Sequence, residues 1–155
     1  MFISPSRGKM SFEDVFKEIT AYFSEDPGAK YKLIIGTDSQ ARDGLVLVTA
    51  LIVYRLGKGG RFFYQKENEK NTPSIQQRMY LEAAKSLKIA TRVLDKLMEN
   101  GFADVDVEIH LDIGEHGQTK DIIREIVGMV TGSGFDAKIK PDSYGASKVA
   151  DKYTK

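Results

Sequence analysis

Residues 33–40 read LIIGTDSQ, an apolar run that ends in a single carboxylate, Asp38. A nearly continuous run of Leu and Ile residues is typical of a strand that is buried on both faces of a sheet. A carboxylate at the end of such a strand costs free energy unless a charge or a hydrogen-bond donor compensates it. The run therefore predicts a central strand over residues 32–38. It also raises the question of which other carboxylates meet Asp38 at the tip of that strand.

Two turn signals after this strand predict an antiparallel meander. Asp43-Gly44 is a hairpin signal, and it leads into a second apolar strand over residues 45–56. The glycine-rich run at 57–60 leads into a third strand over residues 61–66. The first three strands are therefore expected to be consecutive and antiparallel.

Two amphipathic helices are predicted around the meander. The first is expected at about residues 11–24, where Ser11 precedes an acidic first turn. The second is expected to begin near Thr72-Pro73 and to end near Gly101, because Pro favours the first helical position and Gly favours the C-terminus. The buried stripe of this long helix is predicted to start at Ile75.

A second group of strands completes the predicted order. Alternating apolar and polar residues predict a fourth strand over 105–112, followed by a helix over about 120–131, a fifth strand over 136–140 and a short helix over 147–153. Because a helix joins the fourth and fifth strands, these two strands should be parallel. The predicted fold class is α/β, with a mixed five-stranded sheet (a three-stranded antiparallel meander plus two parallel strands) flanked by helices.

The composition limits the domain count and the chemistry of any site. The 155 residues are expected to form a single domain spanning 1–155. The absence of cysteine excludes disulfides and thiolate metal ligands. The net charge of +1 gives no global attraction to nucleic acid, so a nucleic-acid-binding role would need a local basic patch. Without a visible signal peptide or membrane-spanning run, a cytoplasmic location and no membrane partner are expected.

Acidic residues at the predicted strand ends form the candidate site. Asp38 ends the first strand and Asp112 ends the fourth, so both project from one sheet edge if these strands are parallel neighbours. Glu82 borders the packed face of the long helix, and Asp151 lies on the terminal helix, with Asp142 as the alternative to Asp151. Carboxylates without His or Cys suit the hard cations Mg²⁺ and Mn²⁺. Such ions can activate water, so phosphodiester cleavage in nucleic acid is the sharpest chemical hypothesis.

Each of these acids also has a structural explanation. Asp38 could cap a turn by accepting hydrogen bonds from the next backbone N–H groups. Glu82 could be an exposed helical residue that pairs with a neighbouring basic side chain such as Arg78. Asp112 could satisfy the backbone of the following loop, and Asp151 could belong to a solvated helix.

The C-terminal segment is the candidate nucleic-acid surface. Between residues 138 and 155, five lysines outnumber two aspartates, and two tyrosines are interleaved with them. Lysines can follow a phosphate backbone and tyrosines can stack on bases. The alternative is a solvated tail. The residues expected to contact nucleic acid are Lys140, Tyr144, Lys148 and Lys152.

The order of elements resembles the ribonuclease H (RNase H) fold: a β-meander, a helix that carries a Glu, a parallel strand that ends in Asp and a late helical Asp. More closely, three segments resemble the YkuK-type family of predicted RNase-H-like proteins: GTDSQ (36–40), HLDIGEHGQTKDII (110–123) and KPDSYGASKVADKYTK (140–155).

This resemblance implies a role for each acid. Asp38 would be the first-strand Asp, Glu82 the helical Glu, Asp112 the fourth-strand Asp and Asp151 the late helical acid. The implied activity is a nuclease that depends on Mg²⁺ or Mn²⁺ and acts on RNA, DNA or a hybrid. The alternative is a non-catalytic nucleic-acid-binding or scaffold domain that retains the RNase-H-like fold. The sequence leaves the oligomeric state open.

Overall fold

A single mixed sheet, flanked by helices, organises the chain. The computed structural model describes residues 1–113, 120–140, 142–143 and 153–154. The strands follow the order β2-β1-β5-β4-β3-β6-β7 across the sheet. In chain order the elements are β1 (Phe2–Ser4), β2 (Gly8–Met10), α1 (Phe12–Glu25), β3 (Tyr31–Ala41), β4 (Leu45–Arg55), β5 (Gly59–Glu69), α2 (Ile75–Glu99), β6 (Asp106–His110), α3 (Lys120–Gly132) and β7 (Asp136–Lys138).

The predicted α/β class and the predicted pairing of strands are confirmed. The meander of β3, β4 and β5 is antiparallel, and β6 is parallel both to β3 and to β7. Two further strands, β1 and β2, were not predicted. They pair with each other and join the edge of the sheet through Ile3 and Tyr64. Each has only three residues, which is too short for a pattern of alternating residues to be visible.

The turn between β3 and β4 forms at Asp43-Gly44, where the sequence predicted a hairpin. Asp43 and Gly44 both have positive φ angles, 48° and 115°. An added Cβ at Gly44 would lie 2.3 Å from the backbone oxygen of Glu69. This position therefore requires glycine both for its backbone conformation and for the close approach of the neighbouring strand.

The strand that carries Asp38 is longer than predicted. It continues to Ala41, and Asp38 pairs with Val48 inside the ladder between β3 and β4, so the placement of Asp38 at the tip of the strand is wrong. The apolar run had marked only the part of β3 that has neighbours on both sides. In the described residues the parallel pairing with β6 ends at Gly36 and His110. Beyond that point, among the described residues, β3 pairs with β4 alone.

Helix α2 begins later than predicted. Its N-cap is Ser74, which forms a capping box with Gln77, whereas the Thr72 hydroxyl donates to the Gly44 carbonyl oxygen at 3.2 Å. The predicted stripe is partly wrong, since Ile75 is 70% exposed and Ser86 is fully buried. Ser86 is buried because its hydroxyl bonds to Thr37 on β3. None of the helices in the described ranges is long and apolar enough to cross a membrane.

The two faces of the sheet are covered differently. The face that carries Leu33 and Ile35 belongs to the main core, which also contains the buried face of α2. On the opposite face, Ile34 forms a smaller cluster with Val48 and Ala50, and Tyr153 packs against it. Asp38 comes four residues after Ile34 in β3, and residues an even number apart share a face, so Asp38 lies on this second face. The predicted terminal helix is mostly outside the described residues, although Tyr153 and Thr154 are helical.

Candidate functional site

The candidate site lies where the parallel pairing of β3 and β6 ends. The last paired positions are Gly36 on β3 and His110 on β6. Asp38 and Asp112 each follow two residues later, and both are partly exposed. Neighbouring parallel strands therefore carry the two aspartates to the same edge of the sheet, as the sequence predicted, although only β6 ends there.

Glu82 reaches this edge from helix α2, on the other face of the sheet. The Ser39 hydroxyl donates a hydrogen bond to Glu82 Oε2. Because Ser39 directly follows Asp38, this contact fixes the helical carboxylate next to the strand that carries the first acid. The alternative of an exposed Glu82 paired with a basic neighbour is wrong, since Glu82 is partly buried and Arg78 bonds to Ser39.

The charges of the three acids interact. Burial raises the pKa of Glu82 to about 8, and the negative charges of Asp38 and Asp112 act in the same direction. The hydrogen bond from Ser39 and the positive charge of Arg78 lower the pKa but do not offset the burial. A carboxyl group whose pKa is raised by burial and by neighbouring carboxylates marks a local excess of negative charge, which is typical of functional sites.

The two aspartates contact residues from the last part of the chain. Lys140 Nζ lies 3.0 Å from Asp112 Oδ1, and the Thr154 hydroxyl donates to Asp38 Oδ2 at 3.3 Å. The alternative explanation of Asp38 as a turn cap is wrong, because Asp38 pairs with β4 inside a ladder. The C-terminal segment therefore reaches the site through its described residues.

The fourth acid is not settled by the described residues. Asp151 lies outside them. Its alternative, Asp142, is exposed and lines a cavity together with Glu108 and His110. Both residues lie on β6, the strand that leads to Asp112, and His110 is its last residue.

The residues present fit a hard divalent cation in donor chemistry, although they are not gathered as ligands. Asp38, Glu82 and Asp112 offer only oxygen donors, which Mg²⁺ and Mn²⁺ prefer. Within the described ranges, no group of three or more His, Asp or Glu side chains is arranged to hold a metal ion. In this arrangement the acids are engaged by Ser39, Thr154 and Lys140.

Of the residues expected to contact nucleic acid, the structure describes Lys140. Its side chain is 59% exposed and pairs with Asp112. Tyr144, Lys148 and Lys152 lie outside the described residues. Tyr153 stacks on Tyr64 with ring centroids 3.9 Å apart, so one face of its ring is used within the fold.

Sequence reasoning missed the functional relevance of Ser39 and underestimated Arg78. Ser39 is a small polar residue in an otherwise buried strand, next to the candidate acid, and that position was a usable signal. Arg78 precedes Glu82 by one helical turn, so a direct ion pair was considered. The structure shows instead that both side chains meet at Ser39.

The comparisons with known proteins agree with this architecture. A family model described as "Ribonuclease H-like" matches residues 14–155. The chain belongs to the ribonuclease H-like family. The predicted resemblance is thereby confirmed, and membership of the ribonuclease H-like family indicates a function related to nucleic acid.

One relative matches the ribonuclease H-like chain over its full length. It is the uncharacterized protein YkuK of Bacillus subtilis (strain 168), which is 40% identical over 168 aligned residues that cover 100% of this chain and 97% of that protein. No solved structure is significantly similar to the chain.

Proposed function

We propose that this protein is a divalent-metal-dependent nuclease that hydrolyses phosphodiester bonds at the edge where Asp38, Glu82 and Asp112 lie. The observation that carries this proposal is the end of the parallel ladder. It leaves Asp38 on β3 close to Asp112, which follows the end of the neighbouring strand β6, while α2 brings Glu82 to the residue beside Asp38. All the strands belong to one sheet, which supports a single domain spanning the chain.

The charge of the site supports a cation-dependent function. Three carboxylates at one edge repel a polyanion such as nucleic acid. A divalent cation held by these carboxylates would offset most of their negative charge and would offer a phosphodiester oxygen a direct partner. Among the described residues, Lys140 forms an ion pair with Asp112, and its exposed side chain is accessible to solvent.

The residues have distinct proposed roles. Asp38, Glu82 and Asp112 would hold Mg²⁺ or Mn²⁺, with Asp151 as the proposed fourth acid and Asp142 as its alternative. When bound, such an ion lowers the pKa of a water molecule and stabilises the leaving oxygen. The exposed Lys140 would leave Asp112 and contact a phosphate of the nucleic acid. Tyr144, Lys148 and Lys152 are proposed to continue that contact surface.

Cleavage assays test the proposal directly. The purified protein should cleave at least one of an RNA–DNA hybrid, single-stranded RNA, single-stranded DNA and branched DNA when Mn²⁺ or Mg²⁺ is present. We expect D38N to lose all cleavage, because it removes a charged ligand with almost no change in shape. D95N, which changes an exposed aspartate of α2, is the matched control and should keep full activity. Equal activity of D38N and D95N would contradict the site assignment.

A second function is favoured by one observation. Within the described residues the acids are not arranged as a metal-binding group, and Lys140 neutralises Asp112. A non-catalytic nucleic-acid-binding or scaffold domain does not require these acids to be arranged around a metal ion. Such a domain would bind nucleic acid equally well with Mn²⁺ and with a chelator, whereas the nuclease should bind more tightly when the ion is present.

A further inference from the structure

Arg78, Ser39 and Glu82 form a continuous chain of hydrogen bonds beside the candidate site. Arg78 Nε donates to the Ser39 hydroxyl oxygen at 3.1 Å, and Arg78 Nη2 donates to the Ser39 backbone oxygen at 2.9 Å. The Ser39 hydroxyl donates to Glu82 Oε2. One serine therefore ties two side chains of α2, one helical turn apart, to strand β3.

The chemistry of the three groups fixes the direction of this chain. A guanidinium group has only donors, so the Ser39 oxygen must accept from Arg78. The single hydroxyl hydrogen is then free to point only at Glu82, which can accept it. Ser39 is 6% exposed, so water has little access to compete for either bond.

These hydrogen bonds also explain how Glu82 stays near two other carboxylates. Like charges on Asp38 and Asp112 push the Glu82 carboxylate away, and a glutamate side chain has the rotational freedom to turn aside. The bond from Ser39 holds the Oε2 atom in place. Arg78 contributes a positive charge without touching Glu82, so Oε1 has no hydrogen-bond donor among the described residues.

We propose that Arg78 is a positioning residue which acts through Ser39, holding Glu82 by its Oε2 atom and leaving Oε1 for a divalent cation. This inference rests on the metal-dependent function proposed for the same site. It assigns to the pair Arg78 and Ser39 the role of outer-shell groups that orient a metal ligand. The fork of the guanidinium is essential, because a lysine cannot bond to the hydroxyl and the backbone oxygen in the same fixed geometry.

The test measures Mn²⁺ affinity by calorimetry and cleavage kinetics for the wild type and four variants. R78K keeps the charge and loses the fork, and S39A removes the hydroxyl. We expect each to weaken Mn²⁺ binding by about 10-fold or more, the usual effect of losing an outer-shell partner. The KM for nucleic acid at saturating Mn²⁺ should be unchanged. K88M, which removes an exposed positive charge from the same helix, should match the wild type.

The double variant R78K/S39A separates positioning from general structural damage. If Arg78 acts only through Ser39, the double variant should bind Mn²⁺ no more weakly than S39A alone. Additive losses, or a raised KM with unchanged Mn²⁺ affinity, would overturn the positioning role and leave the nuclease proposal standing. A wild-type protein that binds no Mn²⁺ would instead overturn the nuclease proposal itself. R78K changes helix α2 and S39A changes strand β3, but both break the same series of hydrogen bonds. If one variant fails to fold, the other still tests the proposal.

Discussion

Glu82 is partly buried on helix α2 and Glu108 is buried on strand β6, and their surroundings shift their pKa values in opposite directions. Burial alone raises the pKa of Glu108, but hydrogen bonds from Lys32 and His110 outweigh it and hold the pKa below its ordinary value. Lys32 Nζ lies 2.8 Å and His110 Nε2 lies 3.1 Å from the Glu108 carboxylate. Among the described residues, the one hydrogen bond to Glu82 comes from a serine hydroxyl, and the pKa of Glu82 rises to about 8.

The difference lies in whether a positive charge of the described residues compensates the acid. The positive charge of Lys32 compensates Glu108 within the protein, and Glu108 in turn raises the pKa of Lys32. Glu82 lies near Asp38 and Asp112, and Arg78, the positive group of the described residues that acts on its pKa, bonds to Ser39 instead. A compensated acid needs no ligand, whereas an uncompensated one is stabilised by a cation from outside. We therefore propose a structural role for Glu108 with its partners Lys32 and His110, and cation binding for the edge that carries Glu82.

Breaking the compensated group of Glu108, Lys32 and His110 should destabilise the folded state. E108Q removes the carboxylate and leaves the partly buried Lys32 without its partner. We expect the free energy of unfolding at pH 7 to fall by about 2 kcal/mol, less than for a fully buried pair, because the Lys32 side chain is 29% exposed. Urea denaturation measures this loss. Because the pKa of folded Glu108 is lowered, its stabilising contribution is present above the ordinary glutamate pKa and disappears as the pH falls through the folded pKa. The wild type and E108Q should therefore converge in acid.

The same substitution at Glu82 should have the opposite sign. In metal-free protein the folded pKa of about 8 lies above the value in the unfolded chain, so the wild type loses stability as the pH rises toward 8. E82Q removes this penalty and should become more stable than the wild type, by up to about 1.4 kcal/mol per pH unit between pH 5 and 8. Urea denaturation in a chelator checks this slope. A destabilised E82Q would show that the carboxylate is compensated after all.

Features that depend on contacts between residues close in the sequence could be predicted, whereas features that depend on distant residues could not. The apolar run before Asp38 and the turn at Asp43-Gly44 are local signals, and they predicted the central strand and the first hairpin. The end of β3 was placed too early, because the sequence does not show that β4 continues to pair with β3 after β6 has ended. The sequence predicted that Asp38 and Asp112 would share an edge, since parallel strands carry successive carboxyl ends to one side.

The rest of the candidate site depends on contacts between distant positions. Helical periodicity placed Glu82 beside the buried face of α2, but Ser39 and Glu82 are 43 positions apart, and no local pattern predicts that they bond. Lys140 was expected to contact nucleic acid, and its pairing with Asp112 follows from the register of β7 beside β6. The short strands β1 and β2 were missed because neither has a period to detect.

A smaller effect is expected at the ion pair between Lys140 and Asp112. If Lys140 exchanges Asp112 for a phosphate when a cation binds, K140M should have two effects of opposite sign. Mn²⁺ affinity should rise by about 2–5-fold, the range expected for an exposed pair, and nucleic-acid affinity should fall by a similar factor. Calorimetry and a fluorescence binding assay measure the two affinities.

K138M removes an exposed lysine from strand β7 nearby, and it should leave Mn²⁺ affinity unchanged. If K140M weakened both affinities, Lys140 would be supporting the acids and not competing with the cation.

The central claim is that the Glu82 edge is an uncompensated acidic site that a divalent cation stabilises. The most direct measurement is the melting temperature of the wild type and of E82Q during a Mn²⁺ titration, with D95N as the control. A ligand that binds only the folded state at about 100 times its Kd adds about 2.7 kcal/mol, which for a chain of this size raises the melting temperature by about 5–10 °C. We predict this rise for the wild type and D95N, and its loss in E82Q. A melting temperature that does not respond to Mn²⁺ in the wild type, or responds equally in E82Q, would contradict the account.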